Sequence, residues 1–149
     1  MNLSAAEARV RLARARVARL ATADASGHPH VVPVTFAVES PDGTAGGDRL
    51  YIAIDHKPKT TTNLKRLRNI RENPAVSLLA DYYEEDWTAL WWARVDGRAM
   101  VVPADAAEGQ RPLDLLAAKY PQYRERRPAG PVIVIRVTRW SGWAGAKPG

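Results

Sequence analysis

The sequence has 149 residues, of which 46% are hydrophobic, so we expect one domain (1–149) with a core of its own. The absence of cysteine excludes disulfides, thiolate nucleophiles and cysteine-ligated clusters. The net charge of +6 favours acidic partners, although such an excess also serves solubility. No apolar run approaches the roughly 20 residues that cross a bilayer, and the N-terminus lacks a signal-peptide core, which predicts a cytoplasmic protein without membrane insertion.

The first predicted element is a helix. Ser4 and Glu7 stand in capping-box register, so the helix should begin near Ser4. Four apolar residues at helical spacing predict its buried face. They are Ala6, Val10, Ala13 and Val17.

Two strands are predicted next, joined by a turn near Ser26 and Gly27. The second strand, "HVVPVTFAVE", is uncharged on both faces over most of its length, which is typical of a strand covered on both sides. Pro33 cannot donate to a sheet, so this strand should lie at an edge or be bulged. The resulting gap in pairing is a place where a ligand could approach the backbone.

A polar loop with a hairpin signal at Asp42-Gly43 leads into the third predicted strand, "RLYIAID". One face of this strand carries Leu50, Ile52 and Ile54. A helix is then predicted from about Thr60 to Glu72, ending before the Asn73-Pro74 pair. Its apolar stripe consists of Leu64, Leu67 and Ile70.

The second half of the chain adds three strands and one helix. "AVSLLAD" is a fourth strand, and "TALWWARVDGRAMVV" is either one long strand bent at Asp96-Gly97 or a hairpin. A helix capped by Asp105 and ended by Pro121 follows, and then a last strand, "PVIVIRVTRW", with a loose tail after it. Six strands and three helices with short connections predict a mainly antiparallel sheet curled into a small barrel.

The stretch "DHKPKTTTNLKRLRNI" concentrates cations and hydroxyls where the central helix should begin. A helix N-terminus offers unpaired N–H groups and partial positive charge, which together suit an anion such as phosphate. Thr60 to Thr62 could cap the helix and donate hydroxyls, while Lys57 and Lys59 add point charges. In the alternative interpretation, one threonine caps the helix and the lysines are merely solvated. Since the chain has neither a P-loop nor a G-x-G-x-x-G motif, nucleotide hydrolysis and ordinary dinucleotide folds are disfavoured.

Other kinds of site receive less support. His28 and His30 share one side of a strand, but no third metal ligand with suitable spacing is visible. Adjacent Trp91 and Trp92 must face opposite sides of a strand, so at least one should line a pocket or a subunit interface. The acidic residues 84–86 beside the aromatic cluster argue against nucleic acid. No nucleophile motif or carboxylate pair is found, so no catalytic side chain and no metal ligand is predicted.

Three segments together resemble the pyridoxamine-phosphate-oxidase-like split barrels. They are "RLATADASGHPHVVPVTF", "LYIAIDHKPKTTTNLKRLRNIRENPAVSLLAD" and "YYEEDWTALWWARVDGRAMVV". The similarity extends from about Arg16 to Trp143, and it is greatest to the actinobacterial branch of coenzyme F420 (deazaflavin)-dependent oxidoreductases. The resemblance implies a mainly β, six-stranded antiparallel split β-barrel with flanking helices that works as a homodimer.

The resemblance also implies a site for a cofactor along the dimer interface. Its phosphate would be held by Lys57, Lys59, Thr60 and Thr61, or, with the shorter motif of other relatives, near Arg66 and Asn69. Its ring would lie against Val32, Pro33, Val34 and Thr35, with Trp87 supplied by the other subunit.

The implied activity is hydride transfer between coenzyme F420 and a small organic acceptor. The cofactor performs such chemistry itself, which agrees with the absence of a catalytic side chain. The surplus of arginines on the central helix favours F420, with its glutamate tail, over FMN. The alternatives are an FMN-dependent oxidase or reductase and a non-catalytic F420 carrier.

Overall fold

The computed structural model describes residues 1–41, 47–54 and 64–146, which form four helices and one antiparallel sheet. The helices are α1 (Ala5–Arg14), α2 (Lys65–Glu72), α3 (Ala107–Lys119) and α4 (Pro121–Glu125). The strands are β1 (Ala18–Ala23), β2 (Pro29–Val34), β3 (Ala37–Glu39), β4 (Arg49–Ala53), β5 (Ala75–Tyr82), β6 (Trp91–Val102) and β7 (Val132–Ala144). In the sheet they are ordered β2-β1-β5-β6-β7-β4-β3. Within these residues, no helix has the length and apolar character needed to cross a membrane.

The sheet curls because its two edge strands are consecutive in the chain. β2 and β3 lie at opposite edges, yet only Thr35 and Phe36 separate them. The Tyr120 hydroxyl holds this break, since it accepts a hydrogen bond from the Phe36 amide at 3.1 Å and lies 3.1 Å from the Phe36 carbonyl oxygen. The predicted antiparallel barrel is confirmed, but the single second strand is wrong: β2 and β3 are separate, and the described residues contain seven strands.

The hydrophobic core has two parts, one on each face of β4. Leu50 and Ile52 point into the barrel, where they join the larger cluster. Tyr51 and Ala53 point outward and pack with residues of α3 and α4. The alternation of a strand therefore explains why nearly the whole of β4 is buried.

Helix α1 begins as predicted but buries a different face. The Ser4 side chain accepts a hydrogen bond from the Glu7 amide at 3.1 Å, which confirms the capping box. The buried residues are Ala8 and Leu12, whereas Val10 of the predicted stripe is 41% exposed. The predicted stripe consisted of four small or β-branched residues at helical spacing. The larger side chain of Leu12 instead decides which face of α1 packs on β6 and β7.

A buried carboxylate lies beneath α1. Asp48 is 0% exposed, and its Oδ2 accepts a hydrogen bond from the Trp140 indole at 2.7 Å. Its Oδ1 lies 3.8 Å from Nη1 of Arg9, whose side chain is 19% exposed. This mostly buried ion pair connects the first helix to the start of β4.

The C-terminal half differs from prediction in its boundaries. β6 is one long strand with a bulge at Asp96/Gly97, as one of the two alternatives stated. A Cβ at residue 97 would come within 2.5 Å of the Arg136 carbonyl oxygen, so only glycine fits there. β7 continues to Ala144 in register with β6, so the prediction of a loose tail is wrong for these residues. Helix α3 has Ala106 rather than Asp105 at its N-cap.

Candidate functional site

A cavity of about 270 Å³ lies where the end of β2 meets β4, α2 and α4. Pro33, Val34 and Thr35 line it from the β2 side, Arg66 from α2 and Tyr123 from α4. We refer to it as the β2 cavity. It brings together four of the residues that the sequence nominated for cofactor contact: the three from β2 and its end, and Arg66.

Arg66 is the principal charged group of the β2 cavity. It is half-buried, and its Nε is buried without a hydrogen-bond acceptor among the described residues. Burial lowers the pKa of its guanidinium, which nevertheless stays protonated at neutral pH. A buried Nε without an acceptor on a half-buried cation is costly unless an anion approaches it, so this position is suited to a phosphate or carboxylate group.

The helix that carries Arg66 begins later than the sequence indicated. α2 starts at Lys65 with Leu64 as an extended N-cap residue, so the predicted helix is wrong at Leu64, while its predicted start near Thr60 lies outside the described residues. No side chain of the described residues caps this end of the helix. The predicted buried stripe is confirmed, because Leu67 and Ile70 are buried and Leu64 packs against them.

The opposite wall of the β2 cavity is an edge strand, as Pro33 predicted. Among the residues that the structure describes, β2 pairs with β1 alone, and Pro33 lies opposite Arg19 in that pair. Just beyond the strand, Thr35 Oγ1 lies 2.7 Å from the Tyr123 hydroxyl, a hydrogen bond in which either oxygen can donate. The break between β2 and β3 therefore exposes Thr35 to the cavity while Tyr123 fixes its rotamer.

Three other residues that the sequence suggested for cofactor contact do not line the β2 cavity. Val32 packs against the core inside the barrel. Trp87 is 67% exposed, in a single 3₁₀ turn over Trp87–Ala89. Asn69 is 1% exposed, and its side-chain amide donates to the Thr22 hydroxyl at 3.0 Å.

The remaining nominated residues, Lys57, Lys59, Thr60 and Thr61, lie outside the described residues, as does the predicted Asp42-Gly43 turn.

Asn69 is expected to stabilise the fold rather than to bind a ligand. Asn69→Ala should lower the free energy of unfolding by about 1 to 3 kcal/mol, because the buried Thr22 hydroxyl loses its partner. Urea unfolding of Asn69→Ala, Thr22→Val and the double variant would measure the coupling between the two side chains. Unchanged stability together with weakened cofactor binding would instead assign Asn69 to the cofactor.

Sequence reasoning missed Tyr123 and the helix that carries it. Pro121 was interpreted only as the end of α3, whereas it occupies the first turn of α4, a position that proline favours. Proline both ends a helix and favours the first turn of the next one. The second role would have indicated the short helix α4, on which Tyr123 is buried.

No group of three or more histidine, aspartate or glutamate side chains suited to a metal ion occurs in the described part of the chain. His28 is an exposed turn residue whose Nδ1 lies 3.2 Å from Asp24. Asp24 also accepts hydrogen bonds from the amides of Ser26 and His28 at 2.9 Å, which organises the predicted turn.

The curled antiparallel sheet with its flanking helices is a split barrel. The sequence model of the pyridoxamine 5'-phosphate oxidase family matches residues 4–144, and the chain belongs to this family. No curated protein matches the sequence at a significant level.

Several solved structures share the fold over nearly the whole chain. An FAD-binding protein from Mesorhizobium loti is 25% identical with a TM-score of 0.70, covering 95% of both chains. The heme storage protein HutZ from Vibrio cholerae is 19% identical with a TM-score of 0.66, covering 97% of this chain and 95% of its own. An FAD-binding protein from Mycobacterium smegmatis is 17% identical with a TM-score of 0.60, covering 96% of each.

Proposed function

We propose that the protein is an oxidoreductase that transfers hydride between coenzyme F420 and a small organic acceptor. The observation that carries this proposal is the half-buried Arg66, which lines a cavity walled by an edge strand and whose buried Nε lacks an acceptor among the described residues. The similarity to an FAD-binding protein from Mesorhizobium loti supports a cofactor of the flavin type.

The residues present fit such a cofactor. Arg66 would hold its phosphate, with Lys57, Lys59, Thr60 and Thr61 adding charge and hydroxyls, while Pro33, Val34 and Thr35 would support its ring. The bound cofactor would supply the hydride chemistry. The chain itself would bind the cofactor, orient it and exclude water.

We further propose that two copies form the functional unit. Trp87 is 67% exposed, and Val31 and Leu79 on the outer face of the sheet are 61% and 37% exposed. A second copy covering this face would bury these apolar groups and could bring Trp87 to the cofactor of its neighbour. Light scattering on the purified protein should give the mass of a dimer; a monomer at micromolar concentration would contradict this part of the proposal.

Separate titrations with F420, FMN and haem test the cofactor assignment. F420 should bind most tightly, with saturation at one molecule per chain. Tight binding of FMN without binding of F420 would favour an FMN-dependent oxidase or reductase, and haem binding alone would overturn the redox assignment. Reduced F420 should then be consumed with an enone, quinone or nitroaromatic acceptor, whereas binding without turnover would indicate a carrier.

The lysines of the central cationic stretch offer a direct test. Lys57→Ala combined with Lys59→Ala should weaken cofactor binding without unfolding the protein, because each charge-assisted phosphate contact contributes about 1.5 to 3 kcal/mol. Fluorescence titration measures the affinity, and circular dichroism checks the fold. Unchanged affinity in the double variant would remove both lysines from the site.

A further inference from the structure

A second cavity of about 360 Å³ lies on the outer face of the barrel, between the start of α3 and strands β4, β6 and β7. We refer to it as the α3 cavity. Its volume falls within the range of about 300 to 1,000 Å³ that holds small ligands. Among the described lining residues it shares none with the β2 cavity, so it requires its own explanation.

The floor of the α3 cavity is apolar. Met100 and Val134 are direct cross-strand neighbours on β6 and β7, and Pro112 of α3 closes one side. Met100 is 60% exposed, which is unusual for a large apolar side chain with neighbours of its own kind. An apolar body could therefore remove this surface from water.

The rim of the α3 cavity carries two arginines, one of which is held in place by a carboxylate. Arg111 Nε donates to Glu39 Oε2 at 2.8 Å, and the Tyr51 hydroxyl donates to Oε1 at 2.5 Å. These two hydrogen bonds, that of Tyr51 above all, lower the pKa of Glu39, which is ionised at neutral pH. The terminal nitrogens of Arg111 have no hydrogen-bond partner among the described residues.

The sheet beside this rim has an excess of positive charge. Arg49, Arg136 and Arg98 lie directly opposite one another on β4, β7 and β6, and their side chains project on the same face as Met100. Like charges in this arrangement destabilise a sheet. Within the described part of the chain, neither Arg98 nor Arg136 forms an ion pair, so an anion bound nearby would relieve the repulsion.

We propose that the α3 cavity binds a small organic anion that carries a carboxylate on an apolar body. Arg49 and Arg111 bind the carboxylate, for which the planar guanidinium is well shaped, and Met100 and Val134 contact the apolar body. Glu108, also in the lining, disfavours ligands with a second negative charge at the far end. This site is independent of the proposed cofactor site.

Binding of 2-naphthoate, compared with its neutral analogue 2-naphthalenemethanol, tests the proposal. In a ¹H–¹⁵N titration, naphthoate binding should saturate and shift the amides around Met100 and Arg111. The alcohol should bind at least about tenfold more weakly. The absence of saturation at about 10 mM naphthoate, equal binding of the alcohol, or shifts confined to the β2 cavity would overturn it.

Two variants and a control separate binding from folding. Arg111→Met should weaken naphthoate binding about tenfold or more. Met100→Glu should do the same through charge repulsion, and it leaves the contacts of Glu39 untouched at a position that is already exposed. Arg126→Met removes the same charge as Arg111→Met from an exposed site outside both cavities and should change nothing. Retained affinity in a folded Met100→Glu variant would exclude the site.

Discussion

Replacing Arg9 by methionine is expected to lower the free energy of unfolding by about 3 kcal/mol, the lower end of the cost of breaking a buried ion pair. Asp48 is 0% exposed, and among the described residues Arg9 is the only cation within ion-pair distance, at 3.8 Å. Methionine keeps the aliphatic packing but leaves the carboxylate buried, with the Trp140 indole as its only donor among the described residues. Urea unfolding followed by tryptophan fluorescence measures the change.

A control on the same helix distinguishes this effect from a general loss of charge. Arg14→Met, at an exposed position in the last turn of α1, should change stability by no more than about 0.5 kcal/mol. Asp48→Asn added to Arg9→Met should recover part of the loss, because the amide oxygen can still accept from Trp140 without a buried charge. Equal effects of Arg9→Met and Arg14→Met would show that Asp48 does not depend on its partner.

Arg66→Met is expected to weaken cofactor binding about tenfold to a hundredfold while leaving stability unchanged or slightly raised. The first effect follows from the loss of a charge-assisted hydrogen bond to an anion, about 1.5 to 3 kcal/mol. The second follows because the half-buried guanidinium has an Nε without an acceptor in the described structure. Fluorescence titration with F420 and thermal unfolding of the free protein measure the two effects separately.

Lys65→Met is the matched control for Arg66→Met. It removes one positive charge from the adjacent residue of α2, but its side chain is exposed and does not line the β2 cavity. The affinity of Lys65→Met for F420 should stay within about twofold of that of the wild type at physiological salt, where exposed charges are screened. A similar loss in both variants would mean that the net charge of the helix, rather than Arg66 itself, attracts the cofactor.

The sequence predicted best those features that depend on neighbouring residues. Ser4 and Glu7 are three positions apart, and the apolar side chains of Leu67 and Ile70 repeat at the helical period, so local spacing was sufficient. The sequence did not predict the buried face of a helix correctly where apolar residues at helical spacing occur on more than one face. In α1 the choice between the face of Val10 and the face of Leu12 is made by β6 and β7, which come much later in the chain.

The break between β2 and β3 could not be predicted from the residues around it. Phe36 has an apolar, strand-like neighbourhood, and the group that holds its amide is the hydroxyl of Tyr120, 84 residues away. The candidate site was likewise predictable only in part. Pro33 was identified from its residue type, and Arg66 from the resemblance to the family, whereas the wall formed by Tyr123 depends on how α4 packs after the whole barrel has formed.

The position of β7 in the sheet has a consequence for biosynthesis. This strand pairs with β6 on one side and with β4 on the other. Among the described strands, it therefore connects the part of the sheet formed by β2, β1, β5 and β6 to the part formed by β4 and β3. Of the strands that the structure describes, β7 is synthesised last, so until then β4 can pair only with β3. We expect folding to be slow, on a scale of milliseconds to seconds, because closing the sheet depends on contacts between strands that are distant in the chain.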